Sequence, residues 1–284
     1  ITLEANPGTF EAGKFAAFRA LGINRLSIGI QSFDPKQLHA IGRVHDDREA
    51  HRAVEIAASI FDNFNLDLMY ALPGQSVAAA RADIDAAIVA GAPHISAYHL
   101  TIEPNTYFHS HPPRVPDDDV AAEMQAGIES RLAGAGYANY ETSAFARPGQ
   151  RARHNLNYWT FGDYLGIGAG AHGKISLRDR IFRQMRQRHP REYMDRALAG
   201  NAVQSEQDVG AGELPFEFMM NALRLTEGFE VAMFTERTGL PITVVADELA
   251  AAEARGLIDR DHVRVQPTER GRRFLNELLQ MFLE

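Results

Sequence analysis

Four polar side chains stand out in the first hundred residues because each falls in, or at the C-terminal end of, a short apolar run: Glu4, Gln31, Asp67 and Glu103. Carboxylates and a carboxamide placed there are acceptors for the hydroxyl or amino donors of a small ligand. The C-terminal edge of a parallel sheet is where such ligands bind. The bland alternative is that strand ends are polar because loops begin there. Asp67 is the sharpest of the four, since a carboxylate inside Phe64-Asn65-Leu66-Asp67-Leu68-Met69 needs a partner if it is buried. Arg43, two residues past Ile41, offers a planar guanidinium to a ligand carboxylate, or else is a solvated arginine at a helix end.

A second constellation is His154-Asn155-Leu156-Asn157-Tyr158-Trp159, which holds the only Trp of the chain. On a helix, His154 and Tyr158 share a face at i, i+4. An imidazole with flat aromatic neighbours can ligate a metalloporphyrin and pack its ring, or can simply belong to an aromatic cluster with a hydrogen-bonded core histidine. Just downstream, Gly162-Asp163-Tyr164-Leu165-Gly166-Ile167-Gly168-Ala169-Gly170-Ala171-His172-Gly173 permits close backbone approach to a ligand. It is not a P-loop, because Lys174 is followed by Ile175 rather than Ser or Thr. The eleven histidines form no HExxH, and Ser76 sits in no nucleophile elbow.

The elements that must position these residues follow from periodicity. Residues 1–104 repeat a short strand, a loop and an amphipathic helix, with strands at 1–5, 25–30, 63–70 and 94–102. Helices are predicted at 11–21, 35–41 with 47–60, and 77–90. That alternation implies right-handed crossovers and a parallel sheet. Residues 105–213 are less regular: a helix led by three aspartates runs to about Gly134, an aromatic strand covers 137–145, and a basic stretch runs from Lys174 through Arg196. From about Leu214, helices near 215–225, 231–238 and 242–254, a small β-hairpin and a final helix over 268–283 resemble a winged-helix module.

Composition narrows the chemistry. The 284 residues carry a formal charge of -8, which repels phosphate backbones, so no nucleic-acid partner is expected. No apolar run is long enough to span a bilayer. The absence of cysteine rules out disulfides, thiolate nucleophiles and any iron–sulfur cluster held by these residues. A chain that opens on Ile1-Thr2-Leu3-Glu4 starts in mid-strand and reads as a segment of a longer, cytoplasmic protein.

Several segments match a known pattern in order and spacing: Leu3-Glu4-Ala5-Asn6-Pro7-Gly8, Arg25-Leu26-Ser27-Ile28-Gly29-Ile30-Gln31-Ser32-Phe33, Asp67-Leu68-Met69 through Leu72-Pro73-Gly74-Gln75, and Thr101-Ile102-Glu103-Pro104-Asn105-Thr106. Together they resemble the radical S-adenosylmethionine (SAM) enzymes related to oxygen-independent coproporphyrinogen III oxidase. Within that group, residues 154–159 resemble the HNxxYW signature of the HemW heme chaperones. The resemblance covers essentially the whole chain.

It implies an α/β fold: a partial (βα)6 barrel over 1–104 contributing the last four strands, an α+β extension over 105–213, and a winged-helix-like domain over 214–284. It places SAM contacts on Glu4, Gln31, Arg43 and Asp67, and the heme-iron ligand on His154, with His172 as the rival. The basic stretch would then meet heme propionates, or else is a solvated face. The implied function is a chaperone that binds heme and SAM and delivers heme to acceptor proteins, membrane-associated ones included. The alternative is an oxygen-independent coproporphyrinogen III oxidase, and a DNA-binding regulator using the winged helix is a third class. The family's 4Fe-4S cluster sits on a CxxxCxxC loop that would precede Ile1. Because SAM cleavage needs an electron from that cluster, these residues by themselves are expected not to run radical chemistry.

Overall fold

The computed structural model describes residues 1–9 and 11–283. The chain divides into two compact units, residues 1–151 and 152–284, so the boundary falls inside the 105–213 segment.

In the first unit, β1 (Thr2–Ala5), α1 (Ala12–Ala20), β2 (Arg25–Gln31), α2 (Pro35–Ala40), α3 (Asp47–Ile60), β3 (Phe64–Tyr70), α4 (Val77–Val89) and β4 (His94–His99) alternate as the periodicity predicts. Then follow α5 (Tyr107–Ser110), α6 (Asp118–Gly134), β5 (Ala138–Glu141) and β6 (Ala144–Ala146). The sheet order is β1-β2-β3-β4-β6-β5, with the first four strands parallel and β6 antiparallel to β4. This is the partial barrel with four parallel strands. The aromatic strand expected over 137–145 is instead a tight reversal of two short strands, β5 and β6. Likewise β4 stops at His99, and Glu103 lies beyond it in a turn where Thr106 Oγ1 donates to its carbonyl at 2.6 Å.

Strand alternation separates the two faces of this sheet. Leu26, Ile28, Ile30, Leu66, Leu68, Ile95 and Ala97 are buried in the core shared with the helices. The opposite positions, Ser27, Gly29, Gln31, Asn65, Asp67, His94 and Ser96, are polar or lack a side chain. A parallel sheet buried on both faces reads as nearly continuous hydrophobic sequence, so this alternation marks one face as something other than core. The helices are fixed at their starts. Asp46 and Glu49 form a capping box on α3, and Ser76 caps α4 by accepting from the Ala79 N–H.

The second unit begins with α7 (Arg153–Trp159), β7 (His172–Ser176), β8 (Ile181–Arg186), α8 (Pro190–Leu198) and β9 (Val203–Asp208), its three strands forming an antiparallel sheet in the order β7-β8-β9. It continues with α9 (Leu214–Ala222), β10 (Phe229–Glu230), α10 (Val231–Thr238), α11 (Ala246–Ala254), β11 (Ile258–Arg260), β12 (Arg264–Pro267), α12 (Glu269–Arg273) and α13 (Leu275–Gln280). Three helices, a β10-β12-β11 sheet and closing helices follow one another in the order the sequence suggests. Two expected helices are each divided: 242–254 opens with a 3-10 turn (Ile242–Val245), and 268–283 breaks at Phe274, whose φ of -110° and ψ of 40° are not helical. Its core gathers Phe218, Phe229 and Phe234 edge-to-face with centroids 4.9 and 5.1 Å from Phe218. Gly271 is obligatory there, because a Cβ would lie 1.8 Å from the Leu257 carbonyl oxygen.

Candidate functional site

The register of the parallel strands lays polar residues in rows across the concave face. Glu4 pairs with Ser27, Ser27 with Asn65 and Asn65 with His94, so one row crosses all four strands. Asp67 and Ser96 begin the next row toward the C-terminal edge. Asp67 accepts from Ser27 Oγ at 3.0 Å and from Asn65 Nδ2 at 2.8 Å. The same Asn65 amide donates to Ser27 Oγ at 2.8 Å, and its oxygen meets His94 Nδ1 at 2.6 Å and Ser96 Oγ at 3.1 Å. His94, fully buried, reaches Tyr140 Oη at 2.8 Å through Nε2.

Charge is concentrated around this row. Arg25 is 7% exposed and its Nε has no hydrogen-bond partner among the described residues. Burial lowers its pKa, against the fields of Tyr140, Asp67 and Glu4. Desolvation around the Tyr98 hydroxyl pushes it up to about 12, with the Asp67 charge adding to the effect. Burial lowers the pKa of Arg43 while the Asp67 charge opposes the shift. The Asp67 charge thus acts on both Arg25 and Arg43.

Gln31 closes β2 at φ 69°, in the left-handed region that a side chain rarely adopts, next to a register shift between Ile28 and Gln31. Beside it, a Cβ on Gly29 would meet Gln31 Nε2 at 3.0 Å and Asn6 Oδ1 at 3.3 Å. Behind the edge, the buried Asp83 carboxylate ties two of the sequence segments together. It accepts from Ser32 Oγ at 2.8 Å, from the Phe33 N–H at 2.7 Å and from Gln75 Nε2 at 3.4 Å. Burial raises its pKa to about 6 against the bonds from Phe33 and Ser32.

In the second unit, residues 153–159 do form a helix, α7, with the His154 and Tyr158 rings edge-on at 6.3 Å and Tyr158 against Tyr164 at 4.8 Å. Tyr158, Trp159, Phe161, Tyr164, Lys174 and Arg183 line a cavity of about 240 Å³. Lys174, 2% exposed, anchors its floor: Nζ donates to the Phe161 carbonyl at 3.0 Å, to Asp163 at 2.9 Å and to Ser176 Oγ at 3.2 Å. The glycine run serves the chain itself. A Cβ on Gly166 would lie 2.3 Å from the His172 carbonyl oxygen, and one on Gly173 3.2 Å from that of Tyr164, which pairs with Lys174. His172 is exposed on β7, opposite Met185.

Much of the basic stretch is neutralised inside the protein. Arg180 pairs with Asp208 and Glu206, Arg183 with Glu217, and Arg196 with Glu192, while Arg186 Nε donates to the Gly166 carbonyl. Arg178, Arg188 and Arg191 form no ion pair among the described residues.

The structure thus brings Glu4, Gln31 and Asp67 to one sheet in the first unit, with Arg43 in the loop after α2, and places His154 and His172 in the second. Sequence reasoning missed Arg25, Ser27, Asn65, His94 and Tyr98. Their signal was available as strict alternation in Arg25-Leu26-Ser27-Ile28 and Phe64-Asn65-Leu66-Asp67, where the polar positions all face one way.

Comparison with known proteins fixes the class first. A sequence profile described as the radical SAM superfamily matches residues 1–87, and one described as the HemN C-terminal domain matches residues 211–274. The solved structure of coproporphyrinogen III oxidase (HemN) from Escherichia coli, a radical SAM enzyme, superposes with a TM-score of 0.80 at 20% identity, covering 99% of this chain and 69% of that one. The fold is that of this class. Proteins named heme chaperone HemW are more similar in sequence: 47% identity in Escherichia coli over all of this chain and 74% of that protein, 45% in Haemophilus influenzae over all of it and 73%, and 34% in Bacillus subtilis over 99% and 75%. The chain belongs to the HemW family, and it spans about three quarters of the length of these relatives.

Proposed function

We propose that this chain binds heme and SAM and passes heme to acceptor proteins in the cytoplasm. The observation that carries this reading is 47% identity, over its whole length, to a protein named as a heme chaperone. His154 as iron ligand fits the local chemistry: a half-buried imidazole on α7 with the Tyr158 ring beside it can donate a nitrogen lone pair and flank a macrocycle. For SAM, the donor set also fits. Asp67 keeps unused carboxylate lone pairs, Gln31 offers a carboxamide, and Arg43 supplies a cation for a ligand carboxylate. Bound SAM would supply the radical or structural chemistry of the class.

A 4Fe-4S cluster does not fit these residues, since the sequence contains no cysteine. In this reading the cluster is held by residues outside this chain.

The test is a ferric-heme titration followed by Soret absorbance in wild type, His154→Ala and His172→Ala. Loss of affinity and an altered spectrum in His154→Ala, with His172→Ala unchanged, supports the assignment. The reverse pattern transfers the role to His172, and no change in either removes histidine ligation at both positions. The second reading, a coproporphyrinogen III oxidase, is favoured only by the fold shared with HemN. Restoration of heme synthesis by the full-length protein in cells lacking the oxidase would select it.

A further inference from the structure

The hydrogen bonds around Asp67 leave little freedom about which atom carries which proton. An ionised carboxylate can only accept, so the Asn65 atom facing Asp67 at 2.8 Å is the amide nitrogen. That fixes the flip of the amide and turns Asn65 Oδ1 toward His94 Nδ1 and Ser96 Oγ, both of which must then donate. A neutral His94 with its proton on Nδ1 has a lone pair on Nε2, and Tyr140 Oη lies 2.8 Å from it as the donor. From His94 to Asp67 every bond has one direction. Residues 40 and 29 positions apart in sequence are locked together across β2, β3 and β4.

Such a chain is more than is needed to satisfy a buried polar group, because Asp67 is only half-buried and water could solvate it. Both of its oxygens are nonetheless held, by Ser27 on one and Asn65 on the other, in a triangle closed by the Asn65–Ser27 bond. We infer that Ser27, Asn65 and His94 are positioning residues that hold the Asp67 carboxylate in one orientation, presenting its free lone pairs at the concave face to a hydroxyl or amino donor of the bound nucleoside-bearing ligand. This rests on the reading of Asp67 as a ligand contact. A preoriented acceptor loses less conformational freedom on binding, which raises affinity without adding a contact.

The first test needs no ligand. In full-length protein labelled with 15N-histidine, the long-range 1H–15N correlation spectrum at pH 7 should show His94 as the neutral Nδ1–H tautomer, assigned by its loss in His94→Gln. An Nε2–H tautomer or an imidazolium overturns the network. The second test is SAM calorimetry on the cluster-loaded full-length protein with Asp67→Ala, Asn65→Asp and the double variant. Asn65→Asp preserves shape but replaces the donor with a second carboxylate. Each single change should weaken binding about tenfold or more, and the double variant should bind no more weakly than Asp67→Ala, because an oriented group that is absent cannot be misoriented. Unchanged affinity in Asp67→Ala defeats the reading of Asp67 itself. A loss in Asp67→Ala with no loss in Asn65→Asp, or with additive losses, leaves that reading standing and defeats the positioning role. If Asn65→Asp does not fold, the tautomer in wild type decides.

Discussion

On the concave face of the first unit, Asp67 is tied through Ser27, Asn65 and His94 to the strands on either side of its own, whereas in the second unit His154 stands on a seven-residue helix that buries no side chain. Around the first, hydrogen bonds set direction; around the second, aromatic edges and the turn anchored by Lys174 set shape. Directional bonds fix an acceptor to within tenths of an ångström, while edge-to-face ring contacts tolerate sliding. In the proposed function the contrast suits two kinds of ligand, one held in a defined pose and one that must be given up.

The largest effect expected from breaking this comparison is on the floor of the aromatic cavity. Lys174→Met should destabilise the second unit by about 3 kcal/mol, the low end for losing one partner of a buried pair, because Asp163 retains water. Denaturant unfolding read by Trp159 fluorescence checks this, and a change under 1 kcal/mol would mean that the turn stands without its lysine.

Next in size is the pH response of the first unit. Asp83 titrates near 6 in the folded chain against an ordinary value of 3.8, so the folded state binds the extra proton between those limits. A raised carboxyl pKa contributes stability that is present below about pH 4 and lost as pH rises through 6, roughly 2–3 kcal/mol for that gap. Asp83→Asn should remove that part of the slope in urea unfolding measured from pH 4 to 7. An identical slope in both proteins would show that Asp83 titrates normally.

Smaller again is the effect on ligand affinity. In the cluster-loaded full-length protein, Gln31→Ala should weaken SAM binding by about 1–2 kcal/mol, the worth of one unmade ligand hydrogen bond. Heme affinity in the same variant should stay at the wild-type value. Calorimetry and Soret titration read the two separately, and a matching loss of heme affinity would collapse the distinction between the sites.

No effect at all is expected from duplex DNA. The helix at the recognition position, α11, carries Asp247, Glu248 and Glu253 with no Lys or Arg, the opposite of what phosphate contact and base readout require. Salt-dependent fluorescence anisotropy with the whole chain would expose any binding.

Much of the frame was written in local pattern. The four parallel strands, the capped helices between them and the winged-helix order follow from apolar spacing and cap residues, which act over a few neighbouring positions. Ser76 could be excluded as a nucleophile from its surroundings, and its role as the cap of α4 agrees with that exclusion. Glu4, Gln31 and Asp67 stood out because a polar side chain in or at the end of an apolar run is visible within a single strand.

What the sequence could not disclose is which polar groups meet. Asp83 lies about fifty residues from Ser32 and Phe33, and Asn65 lies 29 from His94; nothing in the chain at either position names its partner. The glycine run invites a ligand when read in line, but the fold fills the space at Gly166 with the His172 carbonyl. Arg180 and Arg183 look like part of a free basic face until β8, β9 and α9 bring Glu206, Asp208 and Glu217 against them. Periodicity is a property of consecutive residues and so survives in the sequence. Strand register and long-range pairing exist only once the sheet has assembled, and they decided which carboxylate is held, which cation is spent within the protein and which glycine is needed.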